Sequence, residues 1–167
     1  ILGFYSLSMR VLGTTNSLLS QALYETFLPY VAKSQNNRKY ALRIFPVICA
    51  FFFPVFFTAS LLAPWYVRLL FGESFLYVSD IIKIMASFYF TQAAVGPYIG
   101  FILVYRRSEI NLAVNLGGVI LRTGLFFLGA KIWGLEGGLY AISVTGILVY
   151  QTFLLVAIRL ADGSIAS

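Results

Sequence analysis

The sequence predicts an all-α integral membrane protein with about five transmembrane helices. Hydrophobic residues make up 60% of the chain and charged residues only 11%, whereas about 25% of an ordinary soluble domain is charged. The mean hydropathy is +0.87. The apolar residues also form long runs separated by short polar turns, and about 20 apolar residues are enough for a helix to cross a bilayer.

Five apolar runs follow one another along the chain. They cover residues 3–31, 41–63, 81–105, 110–132 and 137–158. The intervening segment 64–80 is rich in aromatic residues and is interrupted by Gly72. Because Trp and Tyr are enriched where membrane meets water, we expect this segment to lie at the membrane surface. Within the third run, Gly96 and Pro97 predict a break, and Asp80 is a candidate helix cap.

The first run carries its polar residues on one helical face. They recur at spacings of three and four: Ser6, Arg10, Thr14, Ser17, Gln21, Tyr24 and Glu25. One interpretation is the wall of a hydrated cavity, because an arginine facing lipid costs at least about 2.5–3.5 kcal/mol. The other is packing against neighbouring helices through small polar residues, which is common in membrane bundles. The arginine favours the cavity.

Basic residues divide unevenly between the two sides of the membrane. One side carries Lys33, Arg38, Lys39, Arg43, Arg106, Arg107 and Arg159, and the other carries Arg68, Lys83 and Lys131. Since positive residues mark the cytoplasmic side, we expect a multi-pass protein of the inner (cytoplasmic) membrane with a cytoplasmic C-terminus. An odd number of spans then places the start outside. We therefore expect further helices upstream.

Composition also limits the chemistry. The chain has no histidine and one cysteine, Cys49, which excludes imidazole catalysis and an internal disulfide. The loops are short and hold no cluster of catalytic groups, so we expect no catalytic residues, no metal site, no cofactor and no enzymatic activity. The net charge is +6, but the basic residues are dispersed and indicate membrane topology, with no nucleic-acid partner.

Three motifs resemble a known family. The opening pattern G-x-Y-S-x-S-x-R, from Gly3 to Arg10 with Pro29 ending the helix, resembles the eighth helix of polysaccharide flippases. The segment from Arg68 to Met85 resembles the signature that follows their ninth helix, and W-G-L-E-G-G-L-Y-A, from Trp133 to Ala141, resembles the turn before their last helix. These flippases belong to the multidrug, oligosaccharidyl-lipid and polysaccharide exporter superfamily, and the likeness is greatest to those of the O-antigen type.

The resemblance implies a fold of two six-helix lobes around a central cavity. The chain would be most of the C-terminal lobe, and the N-terminal lobe of the same polypeptide would be missing. We expect that these 167 residues do not transport alone, because half a cavity leaves the polar stripe facing lipid.

The resemblance also implies a function and a set of residues. A flippase of this type moves a polyprenyl-diphosphate-linked oligosaccharide across the cytoplasmic membrane by alternating access, for cell-surface polysaccharide such as the O-antigen of lipopolysaccharide. Its partners would be this substrate and membrane lipids. The candidate cavity-lining residues are Arg10, Thr14, Ser17, Gln21, Tyr24 and Arg122. The two arginines suit a diphosphate, because guanidinium groups match phosphate oxygens, and the others suit sugar hydroxyls.

Two alternatives stay open. Arg122 could serve a structural role, paired with a carbonyl or with an acid elsewhere in the protein. The protein could also be a cation-coupled multidrug or metabolite antiporter of the same fold. Such an antiporter normally needs a carboxylate within the membrane, and no acid lies in the middle of a predicted span.

Overall fold

The described part of the chain is helical, which confirms the predicted all-α membrane class. The computed structural model describes residues 13, 21, 25, 37–105 and 107–161. Its helices are α1 (Asn37–Leu61), α2 (Ala63–Phe71), a single 3₁₀ turn (Glu73–Phe75), α3 (Leu76–Val104) and α4 (Ser108–Ala161). Residues Ala41–Leu61 of α1 and the whole of α4 are long and apolar enough to cross a membrane.

Helix α4 folds back on itself. A straight helix of 54 residues would be about 80 Å long, far more than the bilayer core of about 30 Å. The helix is interrupted at Trp133 and Gly134, where Gly134 has φ +68°. This left-handed conformation is readily adopted only by glycine. The interruption divides α4 into a first half (residues 108–132) and a second half (residues 135–161).

The two halves of α4 pack closely and antiparallel. A side chain added at Gly129 would lie 2.5 Å from the carbonyl oxygen of Gly137, and one added at Gly138 would lie 2.6 Å from the Phe126 ring. Further from the turn, Gly118 lies against Val149. Small residues allow helix backbones to approach one another in membranes, where packing replaces the hydrophobic effect. The glycines therefore set the distance between the two halves.

Helix α3 lies at the centre of the described structure and packs against α1, α2 and α4. Its buried side chains include Ile81, Met85 and Ile102. Near its end, the buried Tyr98 hydroxyl donates a 2.7 Å hydrogen bond to the carbonyl of Ala41 at the start of α1. Because most of α3 is buried, the few polar side chains that it exposes are candidates for a functional role.

Two local predictions on α3 were wrong. The helix runs unbroken through Gly96 and Pro97, which fits the tolerance of proline in membrane helices whose neighbours satisfy the freed backbone groups. The helix also begins at Leu76, so Asp80 lies inside it and does not cap it. Asp80 instead accepts a 3.1 Å hydrogen bond from Lys83.

Candidate functional site

The structure describes two of the six predicted cavity-lining residues. Arg10, Thr14, Ser17 and Tyr24 lie outside the described residues. Gln21 is exposed, and its amide nitrogen donates a 3.1 Å hydrogen bond to Glu25 one helical turn later. Arg122 is half-buried and lies in the first half of α4. These two residues have different surroundings, and the structure describes more contacts for Arg122 than for Gln21.

The guanidinium of Arg122 lies against two aromatic rings that also contact each other, with ring centres 6.0 Å apart. Its central carbon is 5.6 Å from the ring centre of Phe88, on α3, and 5.8 Å from that of Tyr150, on the second half of α4. Both distances fall within the range of about 6 Å for attraction between a cation and an aromatic face. The Tyr150 side chain also hydrogen-bonds with Arg122 and with Gln92. We call Phe88, Gln92, Arg122 and Tyr150 the arginine cluster.

Glycines on α4 make room for the arginine cluster. A side chain at Gly146 would overlap the ring of Phe88, and one at Gly118 would lie 3.7 Å from a terminal nitrogen of Arg122. The absence of both side chains lets α3 and the two halves of α4 approach around the guanidinium. The cluster therefore depends on close helix packing as well as on its own side chains.

Arg122 keeps unused hydrogen-bonding capacity. Its Nε is buried and, within the described ranges, has no hydrogen-bond partner. The ion pairs of the described residues join Arg68 with Glu73, Lys83 with Asp80 and Arg107 with Glu109, and none of them includes Arg122. A guanidinium carries a fixed positive charge and five donors in one plane. A half-buried guanidinium with only aromatic and neutral polar neighbours can attract an anionic group.

A second feature is a groove of about 490 Å³ between α3 and the second half of α4. Its polar lining consists of Asp80, Lys83, Ser87, Glu136, Tyr140 and Ser143. We call it the polar groove. At its floor, the hydroxyls of Ser87 and Ser143 are 3.1 Å apart, and Ser143 donates to the carbonyl of Ile84. The groove thus offers carboxylate, ammonium and hydroxyl groups to a ligand.

Tyr77 connects the two helices beside the polar groove. Burial, and then the neighbouring Glu136, raise the pKa of the Tyr77 hydroxyl, and Glu136 also forms a side-chain hydrogen bond with it. Asp80 adds to this increase in pKa. The interaction between Tyr77 and Glu136 therefore links α3 to the second half of α4. Among the described residues, no group of three or more potential ligands could hold a metal ion.

Comparison with known proteins supports the resemblance predicted from the motifs. Residues 1–80 match the family described as polysaccharide biosynthesis protein. This match supports a polysaccharide-exporter type of family. It covers α1, α2 and the start of α3, while the arginine cluster lies beyond it. No curated protein and no solved structure matches the chain. The family match supports a role in polysaccharide synthesis or export.

The sequence contained a signal for the polar groove that we did not use. Asp80, Lys83, Ser87 and Thr91 follow one another at spacings of three and four, which places them on one helical face. From the sequence, Lys83 served only to indicate membrane topology, and Glu136 entered only as part of the segment from Trp133 to Ala141. The groove becomes visible only when α3 and α4 are packed together, because neither helix forms it alone.

Proposed function

We propose that this protein transports a polyprenyl-diphosphate-linked oligosaccharide across the cytoplasmic membrane for cell-surface polysaccharide synthesis, by alternating access. The observation that carries the proposal is the arginine cluster, in which a cation lies midway along the apolar first half of α4, in a chain whose residues 1–80 match a polysaccharide biosynthesis family. A charge in the middle of a membrane helix is costly and typically marks a substrate or ion pathway. The diphosphate of the substrate is an anion that such a cation would attract.

The proposal assigns a role to Arg122 during passage. The diphosphate loses hydration as it enters the membrane, and an unpartnered polar group there costs several kcal/mol. A guanidinium that is already half-buried can replace part of that hydration through charge-assisted hydrogen bonds. We place the protein in the cytoplasmic membrane with its C-terminus inside, in line with its apolar helices and the distribution of its basic residues.

The cation-coupled antiporter receives less support. Within residues 37–161, the described carboxylates are all exposed and lie at or near helix ends: Glu73, Asp80, Glu109 and Glu136. Glu25, in the first predicted span, is exposed as well and accepts a hydrogen bond from Gln21. A transporter that couples to protons or sodium ions within the membrane usually places a carboxylate among its helices. The described part of the chain offers a cation at that depth instead.

Reconstitution in liposomes tests the proposed function. The intact protein is incorporated with a fluorescent polyprenyl-diphosphate oligosaccharide, and a membrane-impermeant quencher reports how much substrate reaches the outer leaflet. We expect faster exchange with protein than in empty liposomes, and no ion-driven uptake of a cationic drug. Drug uptake driven by an ion gradient, without glycan exchange, would replace the flippase by the antiporter.

A further inference from the structure

The polar groove runs along α3 and the second half of α4, and the sequence predicts that α3 begins at the membrane surface. Asp80 and Glu136 lie near the starts of α3 and of the second half of α4, whereas Ser87 and Ser143 lie seven residues further along the same helices. Seven helical residues correspond to about 10 Å. The groove therefore places hydroxyl groups about one and a half to two helical turns beyond its carboxylates, where Ser87 and Ser143 contact each other.

The polar groove is unsuited to face hydrocarbon. Asp80 and Lys83 form an ion pair, yet their side chains remain 56% and 45% exposed. Glu136 is also exposed. Membrane proteins direct charged side chains to water or to polar ligands, because contact with hydrocarbon is unfavourable for them. The groove must therefore contact water or a polar partner when the protein is in the membrane.

Aromatic rings flank the same edge of α3. On the other side of Lys83 and Ser87 lies a pocket of about 240 Å³ that Phe53 and Phe57 of α1 help to line. These two rings are stacked, with centres 5.5 Å apart. An edge that presents hydroxyl, ammonium and carboxylate groups next to aromatic faces suits a ligand with both hydroxyl groups and apolar C–H faces. Sugars have this combination.

We propose that the polar groove binds the sugar residues of the transported glycan. The carboxylates of Asp80 and Glu136 accept hydrogen bonds from sugar hydroxyls, Lys83 and Ser87 donate, and Tyr140 covers an apolar face of the sugar ring. The groove volume of about 490 Å³ lies within the range of about 300–1,000 Å³ for small-ligand sites. The choice of a lipid-linked glycan rests on the proposed function, whereas the preference for sugar follows from the groove itself.

Protection of an introduced thiol tests this proposal directly. Cys49 is the single cysteine of the sequence, so a Cys49→Ala background lets Ser87→Cys report on the floor of the groove. The rate of maleimide labelling is measured with a polyprenyl-diphosphate oligosaccharide, with sugar-free polyprenyl diphosphate and with the free oligosaccharide. At about ten times Kd, a bound ligand should slow labelling about tenfold. We expect this protection from both probes that contain sugar, and none from the sugar-free lipid.

A matched control and a second variant complete the experiment. Thr152→Cys, at an exposed position of α4 outside the groove, should be labelled at the same rate with every probe. Glu136→Gln should weaken protection at residue 87 about tenfold, while Glu109→Gln, at another exposed carboxylate, should not. Equal labelling at residue 87 with and without the glycan would overturn the proposal, and so would equal protection by the sugar-free lipid.

The two proposals fail in different ways. Exchange of the lipid-linked glycan in liposomes without protection of residue 87 would refute the sugar site and leave the flippase intact. Protection by the glycan without exchange would preserve the sugar site and refute the proposed function. Protection by the free oligosaccharide alone would show that the groove binds sugar without its lipid, and would overturn the lipid-linked glycan as its ligand.

Discussion

Replacing Arg122 by methionine should reduce transport far more than stability. Methionine retains an unbranched chain of similar reach but removes the charge. The two cation–aromatic contacts that would be lost, to Phe88 and Tyr150, are each worth about 0.5–2 kcal/mol. Removing a charge from the middle of a membrane helix returns about 2.5–3.5 kcal/mol. These terms nearly cancel, so we expect the free energy of unfolding to change by no more than about 2 kcal/mol.

Transport should respond differently, because no other group in the arginine cluster carries a charge. A hydrogen bond from a charged donor is worth about 1.5–3 kcal/mol, which corresponds to a factor of about 10–100 in rate. We therefore expect Arg122→Met to slow exchange of the lipid-linked glycan in liposomes by about that factor. Arg122→Lys retains the charge without the planar fork, so its exchange rate should fall between those of the wild type and the methionine variant.

Thermal unfolding in detergent provides the companion measurement. A change of 1 kcal/mol shifts the midpoint by about 2–4 °C for a chain of this size, so Arg122→Met should stay within about 8 °C of wild type. Undiminished exchange per folded molecule would refute the role of the cation in transport. A much larger loss of stability, with exchange reduced only in proportion to the folded fraction, would show that Arg122 is structural.

Three further predictions follow from helix packing and from Tyr77. Gly129→Ala should lower the unfolding midpoint by the equivalent of about 1–3 kcal/mol, because the new methyl group would lie 2.5 Å from the facing backbone, whereas Gly124→Ala, which meets nothing within 4 Å, should not. Gly146→Ala should displace the Phe88 ring, lower the unfolding midpoint and slow glycan exchange. Adding Phe88→Leu should restore the stability that Gly146→Ala loses. Because the pKa of Tyr77 is raised above its ordinary value of 10.0, its contribution to stability is complete below that pH and is lost above it. Between about pH 9 and about pH 11, the free energy of unfolding measured by chemical denaturation should therefore fall more for wild type than for Tyr77→Phe.

The fold class could be predicted from the sequence because the apolar composition and the length of the apolar runs directly indicate membrane-spanning helices. The interruption at Trp133 and Gly134 also falls within the glycine-rich segment from Trp133 to Ala141, where a residue that tolerates positive φ is needed. Local chemistry was less informative on α3. Gly96 and Pro97 predicted a break because proline removes one backbone donor, but the packed neighbours of a buried helix maintain its course.

The candidate site could be predicted only in part. Arg122 was recognised because a charge in an apolar run is visible without any structure. Its partners were not recognised, since Phe88 and Tyr150 lie 34 residues before and 28 residues after it in the numbering, and helical periodicity does not identify the neighbouring helix. The contribution of Gly146 could not be predicted for the same reason, because the Phe88 ring of another helix occupies the space where a side chain at Gly146 would lie.

The polar groove and the arginine cluster lie on consecutive parts of α3. The groove uses positions 80, 83 and 87, and the cluster uses positions 88 and 92. Twelve helical residues span about 18 Å, so an extended head group could contact both features at once. Sugars and diphosphate are adjacent in a lipid-linked glycan, with hydroxyl groups towards one end and negative charge towards the other. If both proposals hold, α3 presents these two chemistries in the order in which the substrate carries them. Combining Glu136→Gln with Arg122→Met should then produce a smaller loss of transport than the product of the separate losses, because the two features act on one bound molecule.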